Sequence, residues 1–411
     1  MRPSYYHGYN IVAACFVIQG ASIGALFAYG VLFTELEAEF GWSRATISGA
    51  SSMAFLVMGA LAILAGKLND HIGPKLLIVG SAICFGIGYA MLSAISAPWE
   101  LYVLYGVLVG IGLSTHDVVT LSTVARWFVR KRGTMSGIAK VGTGCGQVVV
   151  PMIASALIAA YGWRISCLVI GVATMVILVV AGLALRGDPR EIGLRPDGDA
   201  PVAGVAAAAG PVGVTLGMAL RAGPFWILCL VELVSFFCLF TIMVHIVPHA
   251  IDLGAAPATA ALILSAIGGL SIAGRLTVGT VNDRIGGKRS LIICFVVLAC
   301  ALAMLQVADR AALLFVFAGV YGFAHGGLLT VISPTVAELF GTDSHGVLFG
   351  IVLFCGTLGG ALGPWLAGAL FDSSGSYSVA FLLLTGVALL GVVLLLMLRP
   401  IAASASLRTA A

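Results

Sequence analysis

The chain has 411 residues and a net charge of +4; 60% of its residues are hydrophobic and only 9% are charged. Roughly a quarter of the residues in a soluble domain are charged, so this composition excludes a soluble protein. Apolar runs of about 20 residues are long enough to cross a bilayer as helices. The sequence therefore predicts an all-α membrane protein.

Twelve such runs follow one another along the chain. The first six lie near 11–34, 45–66, 76–96, 101–126, 133–160 and 164–185. Residues 186–223, rich in Arg, Asp, Pro, Gly and Ala, interrupt the pattern and are predicted to form a cytoplasmic linker. The last six runs lie near 224–250, 258–280, 290–307, 312–337, 346–371 and 377–398. The sequence thus predicts one six-helix half over 1–185 and a second over 224–411.

The two halves repeat each other at an offset of 213 residues. The segment GKLNDHIGPK, which contains Gly66 and Asp70, recurs as GTVNDRIGGK, which contains Gly279 and Asp283. Four residues of the fifth run recur in the eleventh at the same offset: Gly133, Gly137, Gly146 and Pro151 become Gly346, Gly350, Gly359 and Pro364. Parallel repeats of this kind are typical of transporters whose two halves rock around a central site.

The basic residues predict the orientation of the chain. If the N-terminus is cytoplasmic, 16 of the 21 Lys and Arg fall in cytoplasmic segments, among them Arg2 and Arg408. Only Arg44, Arg164 and Arg310 fall on the opposite side. This positive-inside bias places both termini in the cytoplasm, and it accounts for the net charge without nucleic-acid binding. We expect a multi-pass protein of the cell's inner (plasma) membrane.

The two remaining basic residues, Lys140 and Arg275, lie inside predicted spans. A charge at membrane depth costs at least about 2.5 to 3.5 kcal/mol and persists when it is paired or faces water. Asp117 and Lys140 lie 12 and 10 residues from the turn at 129–130, and therefore at similar depth. Glu232 and Arg275 are placed in the same way around the turn near 253–254. Each cation is expected to pair with its carboxylate.

These two cations carry the functional prediction. Lys140 stands in a glycine-rich run, KVGTGCG. Small residues there allow close helix packing, and an aqueous cavity is the main reason to keep a long cation in such a run. One cation from each half would make a positive site between the halves, which suits an anion. The alternative is that both are internal ion pairs without a substrate role.

Other polar residues at membrane depth are weaker signals. Gln19 corresponds to Glu232 at the offset of 213 residues, which suggests that both line the cavity. Hydrogen bonding within the bundle explains Gln19 equally well. His116, beside Asp117, and His325 could relay protons, because imidazole titrates near neutrality, or could simply satisfy a neighbouring carbonyl.

No metal or cofactor is expected. His245 and His249 have the i, i+4 spacing of a metal site near the outer end of the seventh run. No third ligand is evident, so a polar helix face is the preferred interpretation. The nine cysteines show no metal-ligand spacing and are expected to be small packing residues.

The repeated loops predict a latch, which here means a contact that holds the two halves closed at the cytoplasmic face. Asp70 ends the second run at the face where the eleventh begins near Gly346, and a carboxylate is favourable at the positive end of a helix dipole. Asp283 is expected to contact the start of the fifth run near Gly133 in the same way. The alternative is that the NDxxG sequence is only a solvated turn. The gating residues predicted from these loops are Asp70, Asp283, Gly66, Gly279 and Arg284.

The layout and the paired loops resemble the major facilitator superfamily over essentially the whole chain. Residues 127–146, WFVRKRGTMSGIAKVGTGCG, resemble the helix 4–5 signature of monocarboxylate transporters and their oxalate/formate antiporter relatives, including the bacterial branch. The resemblance implies that Arg275 binds the substrate carboxylate. The family's carboxylate one turn before this arginine is replaced by Ser271, and no lysine occurs in the first run around Tyr29 to Val31. Glu232 is expected to supply the missing carboxylate and Lys140 the missing cation.

We therefore expect a secondary transporter of small organic anions, in the first place monocarboxylates, that works by alternating access as a proton-coupled symporter. The substrate-binding residues would be Lys140, Arg275, Gln19 and His116, and the proton-coupling residues Asp117 and Glu232. The expected partners are a small carboxylate, protons and the lipid bilayer, with the chain acting as a monomer.

Several alternatives remain open at this point. One is an anion exchanger of the oxalate/formate type, and another is an exporter of hydrophobic compounds, whose site would be apolar and aromatic. A membrane sensor would need a signalling domain that the sequence lacks. An intramembrane enzyme is disfavoured because no nucleophile and base, and no metal set, share a common depth, so no catalytic residue is expected.

Overall fold

The computed structural model describes residues 6–199 and 214–399, and this part of the chain is helical without a strand. Twelve of its helices are long and apolar enough to cross a membrane, so the predicted all-α membrane protein with twelve spans is confirmed. In chain order they are α1 (Gly8–Phe40), α2 (Arg44–Ile72), α3 (Pro74–Met91), α4 (Pro98–Trp127), α5 (Arg132–Tyr161), α6 (Trp163–Ala184), α7 (Gly223–Asp252), α8 (Pro257–Ile285), α9 (Gly287–Met304), α10 (Ala311–Phe340), α11 (His345–Ser374) and α12 (Ser378–Met397).

Parts of the sequence predictions fall on residues that the structure does not describe. Arg2, Arg408 and residues 200–213 of the predicted linker lie outside the described residues. The described linker residues form short helical turns, Pro189–Ile192, Pro196–Gly198 and Leu216–Leu220. The cytoplasmic position of both termini stays a prediction.

Glycines with positive φ separate the helices that meet at the repeated loops. Gly73 (φ 79°) lies between α2 and α3, and Gly286 (φ 84°) lies between α8 and α9. Glycine enters this backbone region without the steric cost that a Cβ brings. The two positions are equivalent in the repeat, so the same single-residue break between helices occurs in both halves.

Helix α4 is not a regular α-helix. Residues Tyr102–Val109 have π-helical hydrogen bonding, and after Gly110–Leu113 the α-helix is interrupted at residues 114–115 and resumes over His116–Trp127. The hydroxyl of Ser114 donates to the carbonyl oxygen of Ile111 at 2.7 Å, which provides that carbonyl group with a partner near the interruption. The interruption places His116 and Asp117 in the first turn of the resumed helix.

The chain divides into two compact units. The first comprises residues 1–130, 138–210 and 344–350, and the second comprises residues 131–137, 211–343 and 351–411. The first residues of α11 therefore belong to the first unit, and the first residues of α5 belong to the second. The domain limits predicted from the sequence, 1–185, 186–223 and 224–411, follow the repeat instead and stay a prediction.

Close helix contacts in each unit depend on glycines. In the first unit a Cβ at Gly146 of α5 would overlap the carbonyl oxygen of Gly20 of α1. In the second unit a Cβ at Gly359 of α11 would overlap the carbonyl oxygen of Leu233 of α7. Small residues at such contacts let helix backbones approach closely. Gly146 and Gly359 are equivalent in the repeat, so the same pair of helices is closely packed in each unit.

Candidate functional site

The buried ion pair expected in the first half is present. The Nζ atom of Lys140 on α5 lies 2.5 Å from Oδ1 of Asp117 on α4, and the side chains are only 6% and 12% exposed. The similar distances of the two residues from the turn between α4 and α5 explain why they meet. Pairing reduces the cost of holding either charge at membrane depth.

Gln19 connects this pair on α4 and α5 to a third helix, α1. Its Nε2 group donates to Oδ1 of Asp117 at 2.8 Å and to the hydroxyl of Thr120 at 2.9 Å, and it lies 3.2 Å from the carbonyl oxygen of His116. Its Oε1 atom accepts from the hydroxyl of Thr143 on α5 at 2.8 Å. Both ends of the amide are therefore used, and Gln19 fixes the position of the Asp117 carboxylate. The repeat singles out Gln19 in the sequence, but no pattern there singles out Thr143 or Thr120.

His116 completes the cluster from the other side of the carboxylate. Its Nδ1 atom lies 2.5 Å from the carbonyl oxygen of Leu113, and its Nε2 atom lies 3.4 Å from Oδ2 of Asp117. A carbonyl oxygen can only accept, so Nδ1 carries the proton. Nε2 faces a carboxylate oxygen of Asp117, and a proton on Nε2 makes this contact an ion pair.

We call Gln19, His116, Asp117, Lys140 and Thr143 the polar cluster. It lies next to the interruption in α4, so the carboxylate of Asp117 is in the first turn of a resumed helix, where the helix dipole favours negative charge. Discontinuous helices at membrane depth often present such ends to ions and anionic groups. The opposite charges of Lys140 and Asp117 cancel each other within the cluster.

In the second unit, Arg275 of α8 is completely buried, and Glu232 of α7 is 3% exposed. Neighbouring helices approach the backbone of Arg275 closely, because a Cβ at Gly137 would lie 2.5 Å from its carbonyl oxygen and one at Gly326 would lie 3.0 Å from its nitrogen. Ser271 donates to the carbonyl oxygen of Gly268 within its own helix at 2.6 Å. The pairing of Glu232 with Arg275 stays a prediction.

The contacts predicted for Asp70 are present in the first unit. Its two carboxylate oxygens accept from the backbone N–H groups of Gly346 and Val347, at the start of α11, both at 3.0 Å. Arg126, which the sequence did not single out, donates to Oδ1 at 2.5 Å. A Cβ at Gly66 would overlap the carbonyl oxygen of Gly346, so this glycine allows the two helices to approach.

The second unit repeats this arrangement with different partners. Asp283 accepts from the backbone N–H groups of Gly133 (2.6 Å) and Thr134 (2.9 Å) and from the hydroxyl of Thr134 (2.6 Å), at the start of α5. Gly279 faces the carbonyl oxygen of Gly133, 2.6 Å from where its Cβ would be. Arg284 is exposed at the end of α8, and among the described residues it forms no ion pair with a carboxylate.

The other three histidines singled out from the sequence make contacts within the second unit. His245 bonds through Nδ1 to the hydroxyl of Tyr377 at 3.0 Å and through Nε2 to the carbonyl oxygen of Pro364 at 2.9 Å. The ring of His249 packs against the rings of Tyr377 and Phe381. His325 is buried in α10, with its ring centroid 5.9 Å from that of Tyr321. Both ring nitrogens of His245 are thus engaged within the protein.

Twelve helices that can span a membrane, a duplicated contact between a carboxylate and a helix start, and a buried charged cluster define a membrane transport protein. The model of the Major Facilitator Superfamily matches residues 15–276 and 228–411, and the chain belongs to this superfamily. It is a transporter and not an enzyme.

Individual relatives agree with this assignment. Monocarboxylate transporter 13 of Bos taurus is 29% identical over 376 residues, which cover 91% of this chain and 85% of the relative. The agnestins efflux protein AgnL12 of Paecilomyces divaricatus is 25% identical over 396 residues, which cover 95% of this chain and 86% of the relative. The predicted resemblance of the chain to monocarboxylate transporters is confirmed.

A solved structure confirms the fold. The proton:xylose symporter XylE matches with a TM-score of 0.73 at 15% identity, over 96% of each chain. At this identity the likeness concerns the fold and not the substrate.

Proposed function

We propose that this protein is a proton-coupled symporter of small organic anions, in the first place monocarboxylates, that works by alternating access as a monomer in the cell's inner (plasma) membrane. The observation that carries the proposal is the polar cluster, in which Lys140 pairs with Asp117 at 2.5 Å while Nε2 of His116 faces the same carboxylate at 3.4 Å. The name of the relative monocarboxylate transporter 13 supports the substrate class.

The charges of the cluster account for coupling. An anion that binds Lys140 competes with Asp117 for the ammonium group and leaves one excess negative charge among buried groups. A proton taken up at Nε2 of His116 or at the Asp117 carboxylate restores neutrality. A substrate or a proton alone leaves a net charge at membrane depth, so each favours the binding of the other.

Arg275 is assigned to the substrate carboxylate. Its guanidinium group has the planar fork that binds a carboxylate through two parallel hydrogen bonds, a geometry that lysine cannot reproduce. Glu232 is assigned to proton coupling in the second half, as the counterpart of Gln19. Asp70 and Asp283, with the glycines that face them, are assigned to gating through the helix starts that they hold.

The test is uptake into proteoliposomes with a panel of labelled monocarboxylates and dicarboxylates, with and without an imposed pH gradient. We expect a monocarboxylate to accumulate when the lumen is more alkaline than the medium, and a protonophore to abolish that accumulation. Lys140→Gln should remove the response to pH. Liposomes without protein give the background, and if no carboxylate of the panel accumulates, the proposal is wrong.

An exporter is the second candidate, because the relative AgnL12 is named an efflux protein. An exporter of hydrophobic compounds would move apolar substrates out of loaded vesicles and would not need Lys140. An anion exchanger would swap internal for external carboxylate at a rate independent of the pH gradient. The same vesicles therefore distinguish the three functions.

A further inference from the structure

A groove lies on the surface of the first unit between α1 and α6, with a volume of about 710 Å³. One face of each helix forms a wall. The wall residues at helical spacing are Asn10, Ala13 and Val17 on α1 and Val176, Val180, Leu183 and Ala184 on α6. These side chains are exposed in the structure. Since both helices span the membrane, the apolar walls face lipid rather than water.

The polar residues of the groove all lie at one end. His7 immediately precedes α1, Asn10 is in its first turn, and Arg186 lies two residues after the last residue of α6. Helix ends mark the membrane surface, so the polar end lies at the level of lipid headgroups. From there the apolar walls extend along 10–17 and 176–184, about 10 to 12 Å at the helical rise of 1.5 Å per residue.

The buried side chain of Trp127 holds both sides of this polar end. Its Nε1 group donates to the carbonyl oxygen of Arg186 at 2.9 Å, and its ring centroid lies 5.7 Å from that of His7. Tyr6 adds a further tie by donating from its hydroxyl to the carbonyl oxygen of Trp127 at 2.9 Å. The backbone of Arg186 is thus fixed, while its side chain is exposed and, within the described chain, forms no ion pair with a carboxylate.

We propose that this groove binds an anionic phospholipid. The phosphate group lies against Arg186 and His7, and an acyl chain lies along the apolar walls. The charged headgroup of a phospholipid matches the polar end of the groove, and its hydrocarbon chains match the apolar walls. Basic residues at the membrane surface attract anionic lipid. One such arginine corresponds to a preference of about fivefold for an anionic over a zwitterionic lipid. The inference does not depend on the transported substrate.

Native mass spectrometry of the purified full chain tests the proposal. The protein is supplied with phosphatidylglycerol or phosphatidylcholine, and the retained lipid is counted for the parent, Arg186→Gln and Arg190→Gln. Arg190 is the matched control, because it is exposed in the same segment but does not line the groove. We expect the parent and Arg190→Gln to retain about five times more phosphatidylglycerol than phosphatidylcholine. Arg186→Gln should lose this preference.

Equal retention of the two lipids by the parent would overturn the proposal. An equal loss of the phosphatidylglycerol preference in both arginine variants would also overturn it, because it would indicate a general surface-charge effect. A second measurement identifies the occupant of the groove. A photoreactive benzoylphenylalanine in place of Ala13, in phosphatidylglycerol vesicles, should crosslink to phospholipid. Crosslinking to the protein's own chain instead would mean that a protein segment fills the groove, and the proposal would be wrong.

Discussion

Replacing Asp70 with asparagine tests the latch directly. The carboxylate of Asp70 accepts from the N–H groups of Gly346 and Val347 at 3.0 Å and from Arg126 at 2.5 Å. Asparagine has no charge, and only one of its two polar atoms accepts hydrogen bonds. At least one N–H group at the start of α11 therefore loses its partner, and Arg126 loses its counter-charge.

The contacts set the size of the effect. A charge at a helix start contributes about 0.3 to 2 kcal/mol, and here Arg126 and Asp70 are only 12% and 7% exposed, so solvent screens the interaction little. We expect the substitution to destabilise the latched state by about 1 to 2 kcal/mol relative to the released state. This changes the equilibrium between the two states by a factor of about 5 to 30. Asp70→Asn should thus release the start of α11 and favour the inward-open state without unfolding the protein.

Thiol labelling measures this release. A cysteine in place of Leu348, which is completely buried in α11, reports the fraction of molecules in which this helix start is free. If the latched state predominates, the labelling rate should rise about 5- to 30-fold in Asp70→Asn. Asp283→Asn is the matched variant in the other unit, with the cysteine in place of Met135, the residue of α5 equivalent to Leu348. Since Asp283 has no arginine partner among its described contacts, the rise in labelling should be smaller. An unchanged rate in folded, inserted Asp70→Asn would mean that Asp70 is only a turn residue.

Three further outcomes are expected. Arg275→Lys should lose most of the substrate binding measured by isothermal titration, because lysine lacks the planar fork, and an unchanged affinity would remove Arg275 from the site. Asp117→Asn should abolish acid-driven accumulation in proteoliposomes while it spares substrate exchange; accumulation that still follows pH would exclude Asp117 as the coupling group. Gly142→Ala should destabilise the protein by about 1 to 3 kcal/mol in thermal unfolding, since its Cβ would overlap the carbonyl oxygen of Phe16, whereas Gly80→Ala, with open space around it, should not; equal melting temperatures would contradict the packing argument.

Several features of this protein could be predicted from sequence because the membrane restricts what a residue can do there. A charge at membrane depth needs a partner, which was enough to pair Lys140 with Asp117 from their distances to one turn. The repeat predicted that Asp70 and Asp283 would contact helix starts, because both follow the same glycine pattern. The pairing of Arg275 and Glu232 rests on the same reasoning and stays a prediction.

The sequence by itself determined the twelve spans, their duplication and the membrane depth of the charges, since each follows from the length of apolar runs and the spacing along the chain. The tertiary structure alone decided which side chains surround those charges. These contacts depend on how each helix is rotated about its axis and on which helices become neighbours. They are the hydrogen bonds of Gln19 with Thr143 and Thr120, of Arg126 with Asp70, and of Trp127 with the carbonyl oxygen of Arg186. Neither hydropathy nor the repeat contains that information, because a hydrogen bond between helices is fixed by the packing of backbones that lie far apart in the chain.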